Sequence, residues 1–142
     1  MKSVLIYDSV FGNTEKVAEI IAEITKSDLV HASNYKTIDF NNVDLLIVGS
    51  PTHGGRATDE MQKVLNSFKD LKDVKIAAFD TRSAMKWVKI FGFAADRMND
   101  RLKSLNATII IEPTGFCVSK KEGPLIDHEI ERAKDWAMSL VS

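Results

Sequence analysis

Short apolar runs alternate with amphipathic periods along the whole chain. The runs are rich in β-branched residues, as expected for buried strands, and comprise residues 3–7, 29–33 (the weakest), 43–50, 74–79 and 107–111. Apolar residues at three- and four-residue spacing predict helices over residues 17–24, 61–68, 98–105 and 130–140. Residues 34–42 show neither period and predict at most a turn of helix. Strands and helices in alternation predict a three-layer, doubly wound α/β fold around a parallel sheet.

Length, charge and cysteine content narrow the class of protein. The 142 residues suit one domain, residues 1–142. Lys and Arg number 19 against 20 for Asp and Glu, so no strong field attracts nucleic acid. The single cysteine, Cys117, cannot form an internal disulfide, and neither a signal sequence nor an apolar run of roughly 20 residues is present. We therefore expect a cytoplasmic protein that binds no nucleic acid.

Three polar connections follow the first, third and fourth of the five runs, at residues 9–14, 50–60 and 80–93. In open α/β sheets ligands bind beyond the carboxyl ends of the strands, where the strand order reverses. These connections are therefore the candidate binding loops.

The first connection has the composition of an anion-binding loop. Its polar residues directly precede a predicted helix and are Ser9, Gly12, Asn13 and Thr14. Backbone N–H groups at a helix N-terminus, with added hydroxyl and amide donors, bind phosphate. A plain helix cap with a glycine turn is the alternative. The loop has one glycine, whereas the phosphate loop of nucleoside triphosphatases and the dinucleotide-binding fingerprint each need at least two, so both motifs are excluded.

Longer stretches resemble a known family. "LIYDSVFGNT" resembles the phosphate loop of the flavodoxins, "IVGSPTHGG" and "AAFDTRS" resemble their two flavin-flanking loops, and "GFCVSKKEGPLIDHEIERAKDWA" is similar to the closing segment of small members. The resemblance implies a five-stranded sheet of order 2-1-3-4-5 and a non-covalently held FMN. Phosphorylation-receiver domains share this topology, but their accepting aspartate follows the third strand, where Gly49, Ser50 and Pro51 stand here.

The resemblance also implies which residues bind the cofactor. The phosphate loop of the family, T/S-x-T-G-N-T, corresponds to Ser9, Val10, Phe11, Gly12, Asn13 and Thr14. The flavin-flanking residues are Pro51, Thr52, His53, Gly54, Gly55 and Arg56 in one loop, and Asp80, Thr81, Arg82 and Ser83 in the other. Phe11 replaces a hydroxyl residue of the family, which predicts weaker phosphate binding.

The flanking loops differ from those of the long-studied flavodoxins, which sandwich the flavin ring between aromatic side chains. Neither loop contains Trp, Tyr or Phe, so stacking is weaker or comes from His53 or Trp87. Gly54 and Gly55 either form a plain turn or supply a peptide that rotates when the flavin is reduced. Arg82 is expected to stabilise the anionic reduced flavin by Coulomb attraction.

Arg56 has two interpretations. It either adds to the positive charge around the flavin or forms a surface ion pair with Asp59.

Large apolar residues and two lysines crowd the segment that begins at Trp87 and ends at Phe93. They either begin a helix and pack inward, or form an apolar patch with a basic rim. Such a patch would contact a redox partner, a quinone or a membrane edge.

Two functions follow for an FMN-binding chain. The first is an electron carrier that shuttles electrons between redox partner proteins, with no catalytic residues and no metal. The alternative is an FMN-dependent reductase of a small acceptor such as a quinone, which would need an open pocket over the ring. A third possibility is a descendant that keeps the fold without the flavin, because Phe11 and the missing aromatics weaken the site.

Overall fold

The computed structural model describes residues 1–84, 92–120 and 122–141. The strands are β1 (Ser3–Tyr7), β2 (Asp28–His31), β3 (Leu45–Pro51), β4 (Lys75–Ser83), β5 (Thr108–Ile109) and β6 (Thr114–Val118). The helices are α1 (Asn13–Thr25), α2 (Asp59–Ser67), α3 (Ala94–Ser104) and α4 (Glu129–Val141), with a 3₁₀ helix at Ala32–Thr37. No helix in these described ranges is long and apolar enough to cross a membrane.

The strands form one parallel sheet of order β2-β1-β3-β4-β5, which confirms the predicted order. Strand β3 lies centrally, with its seven residues buried. The 3₁₀ helix confirms the turn of helix expected after the weakest run. Because all strands point the same way, their polar connections meet at one edge of the sheet.

The far end of β4 corrects the predicted strand boundaries. Residues 80–83 belong to β4 rather than to a loop, because β6 pairs with residues 79–83 of that strand. The fifth strand position is divided between β5 and β6, with residues 110–113 between them. Pro113, which lacks an N–H donor, lies in this interruption. Cys117 therefore lies inside β6.

Alternate residues of the strands face two separate cores. On β4, Ile76 and Ala78 pack toward α2 and α3, whereas Ala77 and Phe79 pack toward α1 and α4. The alternation of side chains between the two faces of β4 continues beyond Phe79. It directs Asp80 and Arg82 toward the α3 side and Thr81 toward the α1 side of the same strand.

Candidate functional site

The three polar connections are joined at the carboxyl edge of the sheet. The backbone N–H of Asp8 donates to the carbonyl of Gly49 at 3.1 Å, which holds the start of the first connection against β3. The backbone N–H of Thr52 donates to the carbonyl of Thr81 at 2.9 Å, which holds the second connection against β4. The structure thus brings the predicted loops side by side.

The first connection forms an exposed loop at the N-terminus of α1. Gly12 precedes the helix in a left-handed conformation, with φ 91°, and makes no side-chain cap. A Cβ atom at Gly12 would have no neighbour within 4 Å, so the glycine is needed for its backbone angle and not for space. Val10, Phe11 and Gly12 are exposed. The loop therefore presents backbone donors of a helix N-terminus on an open surface.

Ser9 lies at the centre of this loop. Its Oγ atom accepts hydrogen bonds from the N–H groups of Gly12 at 3.1 Å and Glu15 at 3.3 Å. An oxygen atom at this position therefore already meets two of the converging donors. A phosphate oxygen is a stronger acceptor for the same N–H groups than a neutral hydroxyl, because its charge assists the hydrogen bond.

Asn13 and Thr14 direct their side chains away from the open loop. The Thr14 hydroxyl is buried and shares a 2.7 Å hydrogen bond with the Thr81 hydroxyl. The Asn13 amide donates to the carbonyl of Glu122 at 3.0 Å. These bonds tie the start of α1 to β4 and to the segment before α4. The two side chains thus position the loop, and its accessible donors are backbone groups and Ser9.

Asp8 connects the first connection to two neighbours that sequence analysis did not assign to the site. One carboxylate oxygen accepts from the Thr58 hydroxyl at 2.5 Å, and the other lies 3.3 Å from Nε2 of His31. Nδ1 of His31 accepts from the N–H of Ser33, so the ring proton of the neutral form is on Nε2. Thr58 also caps α2 by accepting from the N–H of Met61. The sequence signal for these contacts was the position of Asp8 directly after β1, at the carboxyl edge of the sheet.

The second connection contains a tight hairpin. His53 and Arg56 exchange backbone hydrogen bonds of 2.8 and 3.1 Å, and the two intervening glycines have φ angles of 57° and 82°. Two successive positive φ angles define a type I′ turn, which accounts for Gly54 and Gly55 on conformational grounds. His53, Gly54 and Arg56 are exposed. The hairpin therefore extends from the sheet edge as a small projecting loop.

The residues on either side of this hairpin anchor it. Pro51 ends β3 and is buried, and the Thr52 hydroxyl accepts from the N–H of Ala94 at 3.0 Å. The surface pair between Arg56 and Asp59, one of the two interpretations of Arg56, does not occur among the ion pairs of the described residues. The Arg56 side chain instead lines a cleft between α2 and α3.

A buried ion pair occupies the end of β4. Asp80 is fully buried and receives two hydrogen bonds from the Arg82 guanidinium, at 2.7 and 2.8 Å. The N–H of Ala95, in the first turn of α3, donates to the same carboxylate at 2.9 Å. Burial raises the pKa of Asp80, and the hydrogen bonds and charge of Arg82 oppose that rise. The bond from Ala95 fixes the start of α3 against β4, and a side-chain hydrogen bond from Thr52 adds to it.

The Arg82 guanidinium is held from several directions. It lies 3.5 Å from the ring centroid of Phe93, and its side chain is 18% exposed. The guanidinium also fills the space where a Cβ atom on Gly115 would stand, so β6 needs a glycine there. Because Asp80 forms an ion pair with Arg82, the carboxylate neutralises the charge of the guanidinium. Sequence analysis missed this pairing, although two residues two apart on one strand share a face.

Cys117 and Glu129 form a structural contact between β6 and α4. Cys117 is half-buried, and its backbone N–H donates to the Glu129 carboxylate at 2.6 Å. Arg132 pairs with the same carboxylate, which is itself almost fully buried. Burial, and next the Glu129 charge, raises the pKa of the Cys117 thiol. A thiol held protonated in this way is a poor nucleophile.

The apolar segment from Trp87 to Phe93 lies mostly outside the described residues. Trp87, one of the two residues expected to contact the flavin ring, is among those not described. Phe93 is described and packs beneath Arg82.

Comparison with known proteins identifies the family of this fold. The family model described as Flavodoxin matches residues 5–136. The chain belongs to the flavodoxin family. A comparison with curated protein sequences gave no significant match. Flavodoxins bind FMN and transfer electrons, so this family member is in general terms an FMN-binding electron-transfer flavoprotein.

Solved structures agree with the fold of this flavodoxin. A short-chain flavodoxin associated with a non-canonical PDU bacterial microcompartment matches with a TM-score of 0.78 and 20% identity, over 99% of this chain and 97% of that one. Oxidised flavodoxin 1 from Bacillus cereus matches with a TM-score of 0.77 and 22% identity, over the same shares. Rubredoxin oxygen:oxidoreductase from Desulfovibrio gigas matches with a TM-score of 0.79 and 21% identity, over 97% of this chain and 34% of that one.

The donor set of the first loop suits FMN. A phosphate monoester needs several converging hydrogen-bond donors, and the loop supplies backbone N–H groups, the Ser9 hydroxyl and the positive end of the α1 dipole. The open space beside Gly12 leaves the loop accessible to an anion.

Proposed function

We propose that this flavodoxin is a cytoplasmic electron carrier that shuttles electrons between redox partner proteins. The observation that carries the proposal is the exposed, glycine-initiated N-terminus of α1, whose N–H groups converge on one oxygen position. FMN, when bound, supplies the electron-transfer chemistry. The chain contributes binding, orientation and the local dielectric.

In this proposal the first connection holds the phosphate of FMN. The N–H groups of residues 10–15 and the Ser9 hydroxyl are the donors, and Val10 and Phe11 form the exposed outer wall of the loop. Asn13 and Thr14 keep the loop in place through Glu122 and Thr81. No lysine or arginine is among residues 9–14, so affinity depends on the backbone geometry.

The flavin ring is proposed to lie between the hairpin at residues 51–56 and the end of β4 at residues 80–83. Pro51, Thr52 and the hairpin backbone would flank it on one side, and Thr81, Arg82 and Ser83 on the other. The exposed His53 and Arg56 are the polar side chains available at its edge. Asp80 fixes the end of β4 by accepting hydrogen bonds from the Arg82 side chain and the Ala95 N–H.

The carrier function is favoured over a reductase because the acidic groups described at this edge are engaged in structural contacts. Asp8 accepts from Thr58 and Ser9, and Asp80 accepts from Arg82 and Ala95. Neither is positioned as a free acid or base for an acceptor molecule. Contact with a quinone or a membrane edge through residues 87–93 stays a prediction.

Anaerobic stepwise reduction of the FMN-loaded protein tests the carrier proposal. A carrier should accept electrons one at a time, so that a paramagnetic one-electron-reduced state accumulates and is detected by electron paramagnetic resonance. Oxidation of the reduced protein by a ferric haem protein, a one-electron acceptor, should then be fast. Direct two-electron bleaching, together with rapid turnover of a benzoquinone, would contradict the carrier and support the reductase.

A further inference from the structure

A cleft separates α2 from α3 on the same side of the sheet as the Asp80–Arg82 pair. Its volume is about 330 Å³, which is enough for a small polyanion. Three arginines line it: Arg56 from the hairpin, and Arg97 and Arg101 from α3. Two amides on α2, Gln62 and Asn66, also line it. No carboxylate is among the described residues of its lining.

Arg101 is a partly buried member of this lining. Its Nε atom is inaccessible to solvent and has no hydrogen-bond partner among the described residues. Neither Arg101 nor Arg56 forms an ion pair within the described parts of the chain. Because Nε is closed to solvent, an oxyanion in the cleft would be bound by the terminal guanidinium nitrogens of Arg101.

We propose that this cleft is an oxyanion-binding site that takes a phosphate- or carboxylate-bearing ligand. Guanidinium groups bind such oxyanions through paired, charge-assisted hydrogen bonds. The arginines are placed on both sides of the cleft, because Arg56 comes from the hairpin and Arg101 from α3. The ligand is either a free polyanion or acidic side chains on the surface of a protein partner.

The site is distinct from the proposed FMN phosphate loop. The loop at residues 9–15 uses backbone donors and lies at the start of α1, whereas the cleft uses side-chain guanidinium groups between α2 and α3. Arg56 connects the two regions, because its backbone closes the hairpin proposed to flank the flavin ring. The proposal does not depend on FMN binding.

Nuclear magnetic resonance of the arginine Nε–H groups tests this site directly. The ¹⁵N-labelled full chain, loaded with one equivalent of FMN, is titrated with pyrophosphate at constant ionic strength. We expect the Arg101 Nε–H signal to shift and saturate, while the backbone amide signal of Gly12 stays unchanged. The Gly12 signal reports separately on the phosphate loop, so failure of FMN binding would be seen there and not in the cleft.

Two variants that each remove one positive charge are compared for their affinity for pyrophosphate. Arg101→Gln should weaken pyrophosphate binding by roughly tenfold or more, because it removes charge-assisted hydrogen bonds. Lys63→Gln removes a charge from exposed α2 surface that does not line the cleft, and should change affinity less than about twofold. If Arg101→Gln fails to fold, Asn66→Ala at an exposed lining position serves as the second variant, and the wild-type Nε–H shift remains decisive.

A hexaglutamate peptide separates the two sources of the oxyanion. A saturating Arg101 shift with pyrophosphate supports a free polyanion, and a shift with the peptide alone supports acidic side chains of a partner. The absence of any Arg101 shift with both probes at millimolar concentration would overturn the proposal. Equal loss of affinity in Arg101→Gln and Lys63→Gln would also overturn it, because it would show diffuse surface attraction.

Discussion

The loop before α1 and the end of β4 lie at the same edge of the sheet, but they use polar groups in opposite ways. The loop is exposed, and its N–H groups converge on the Ser9 hydroxyl, where an anion can compete for them. The end of β4 is closed, because its carboxylate is fully buried and its guanidinium is paired and covers Phe93. The loop leaves donors open to a ligand, as the proposed phosphate site requires, whereas the end of β4 holds α3 and β6 in place.

Some polar residues of these loops already form hydrogen bonds within the protein. Thr14 illustrates the point within the loop itself, because its hydroxyl bonds to Thr81 and is buried. Polar side chains that position a loop are as necessary as those that donate to the ligand. Substitutions can separate the two roles, since the first should change stability and the second affinity.

The largest effect is expected from Asp80→Asn. The variant leaves the Arg82 cation, whose side chain is 18% exposed, without its charged partner. Breaking a buried pair from one side costs roughly 3–5 kcal/mol, so the free energy of unfolding should fall by about that amount. Urea unfolding followed by circular dichroism measures it.

Two controls accompany this substitution. Glu60→Gln breaks the exposed pair with Lys63, whose atoms are 4.0 Å apart, and should cost no more than about 1 kcal/mol. The double change Asp80→Leu with Arg82→Met removes both charges and should recover much of the lost stability. Equal, small losses in Asp80→Asn and Glu60→Gln would show that the β4 pair is not structurally important.

The next largest effect separates the two roles within the loop. Ser9→Ala should weaken FMN binding by about 1.5–3 kcal/mol, because a hydroxyl donor to a charged phosphate is lost. It should cost the FMN-free chain less than about 1 kcal/mol, because water can replace Oγ at the exposed N–H groups of Gly12 and Glu15. Thr14→Ala should lower the stability of the FMN-free chain and change the FMN affinity little. It leaves the buried Thr81 hydroxyl without its partner, at a cost of about 1–3 kcal/mol in unfolding free energy.

Flavin fluorescence titration measures the affinities, and urea unfolding without FMN measures the stabilities. If Ser9→Ala and Thr14→Ala changed FMN affinity and stability in the same proportions, the distinction between donating and positioning side chains would be wrong.

The smallest effect concerns the charge of Arg82. Arg82→Gln removes the cation, but a buried carboxylate that loses its cation takes up a proton, so the local net charge stays near zero. We therefore expect the midpoint potential of bound FMN to shift by less than about 60 mV, the equivalent of a tenfold change in relative affinity for one electron. Spectroelectrochemical titration measures the potential.

A much larger fall in that potential would contradict the compensated pair. It would restore the expectation, made from the sequence, that Arg82 stabilises the anionic reduced flavin. Arg56→Gln is the comparison variant, since Arg56 forms no ion pair among the described residues and its backbone closes the exposed hairpin.

Backbone features of this site could be predicted from the sequence because local residues determine them. The single glycine before an amphipathic period indicated a turn at the start of α1, and apolar runs predicted the buried strands. The order of the strands followed from the family resemblance and agrees with the structure. These features depend on neighbours in the sequence or on a known fold.

Contacts between distant segments could not be predicted in this way. The Thr14–Thr81 hydrogen bond joins residues 67 apart, and the Asn13–Glu122 bond joins residues 109 apart. The extension of β4 through Ser83 depends on β6, whose pairing resumes after residues 110–113. The Asp80–Arg82 pair had a local signal in the two-residue period, but its burial depends on α3 and β6.

The most direct test of the account compares FMN with riboflavin, which lacks the phosphate. The FMN-free chain is titrated with each flavin, and quenching of flavin fluorescence gives the two affinities. If the α1 loop binds the phosphate through several charge-assisted hydrogen bonds, FMN should bind stoichiometrically and at least roughly a hundredfold more tightly than riboflavin. Equal affinity for both flavins, or no binding of FMN, would contradict the central claim that this loop is a phosphate site.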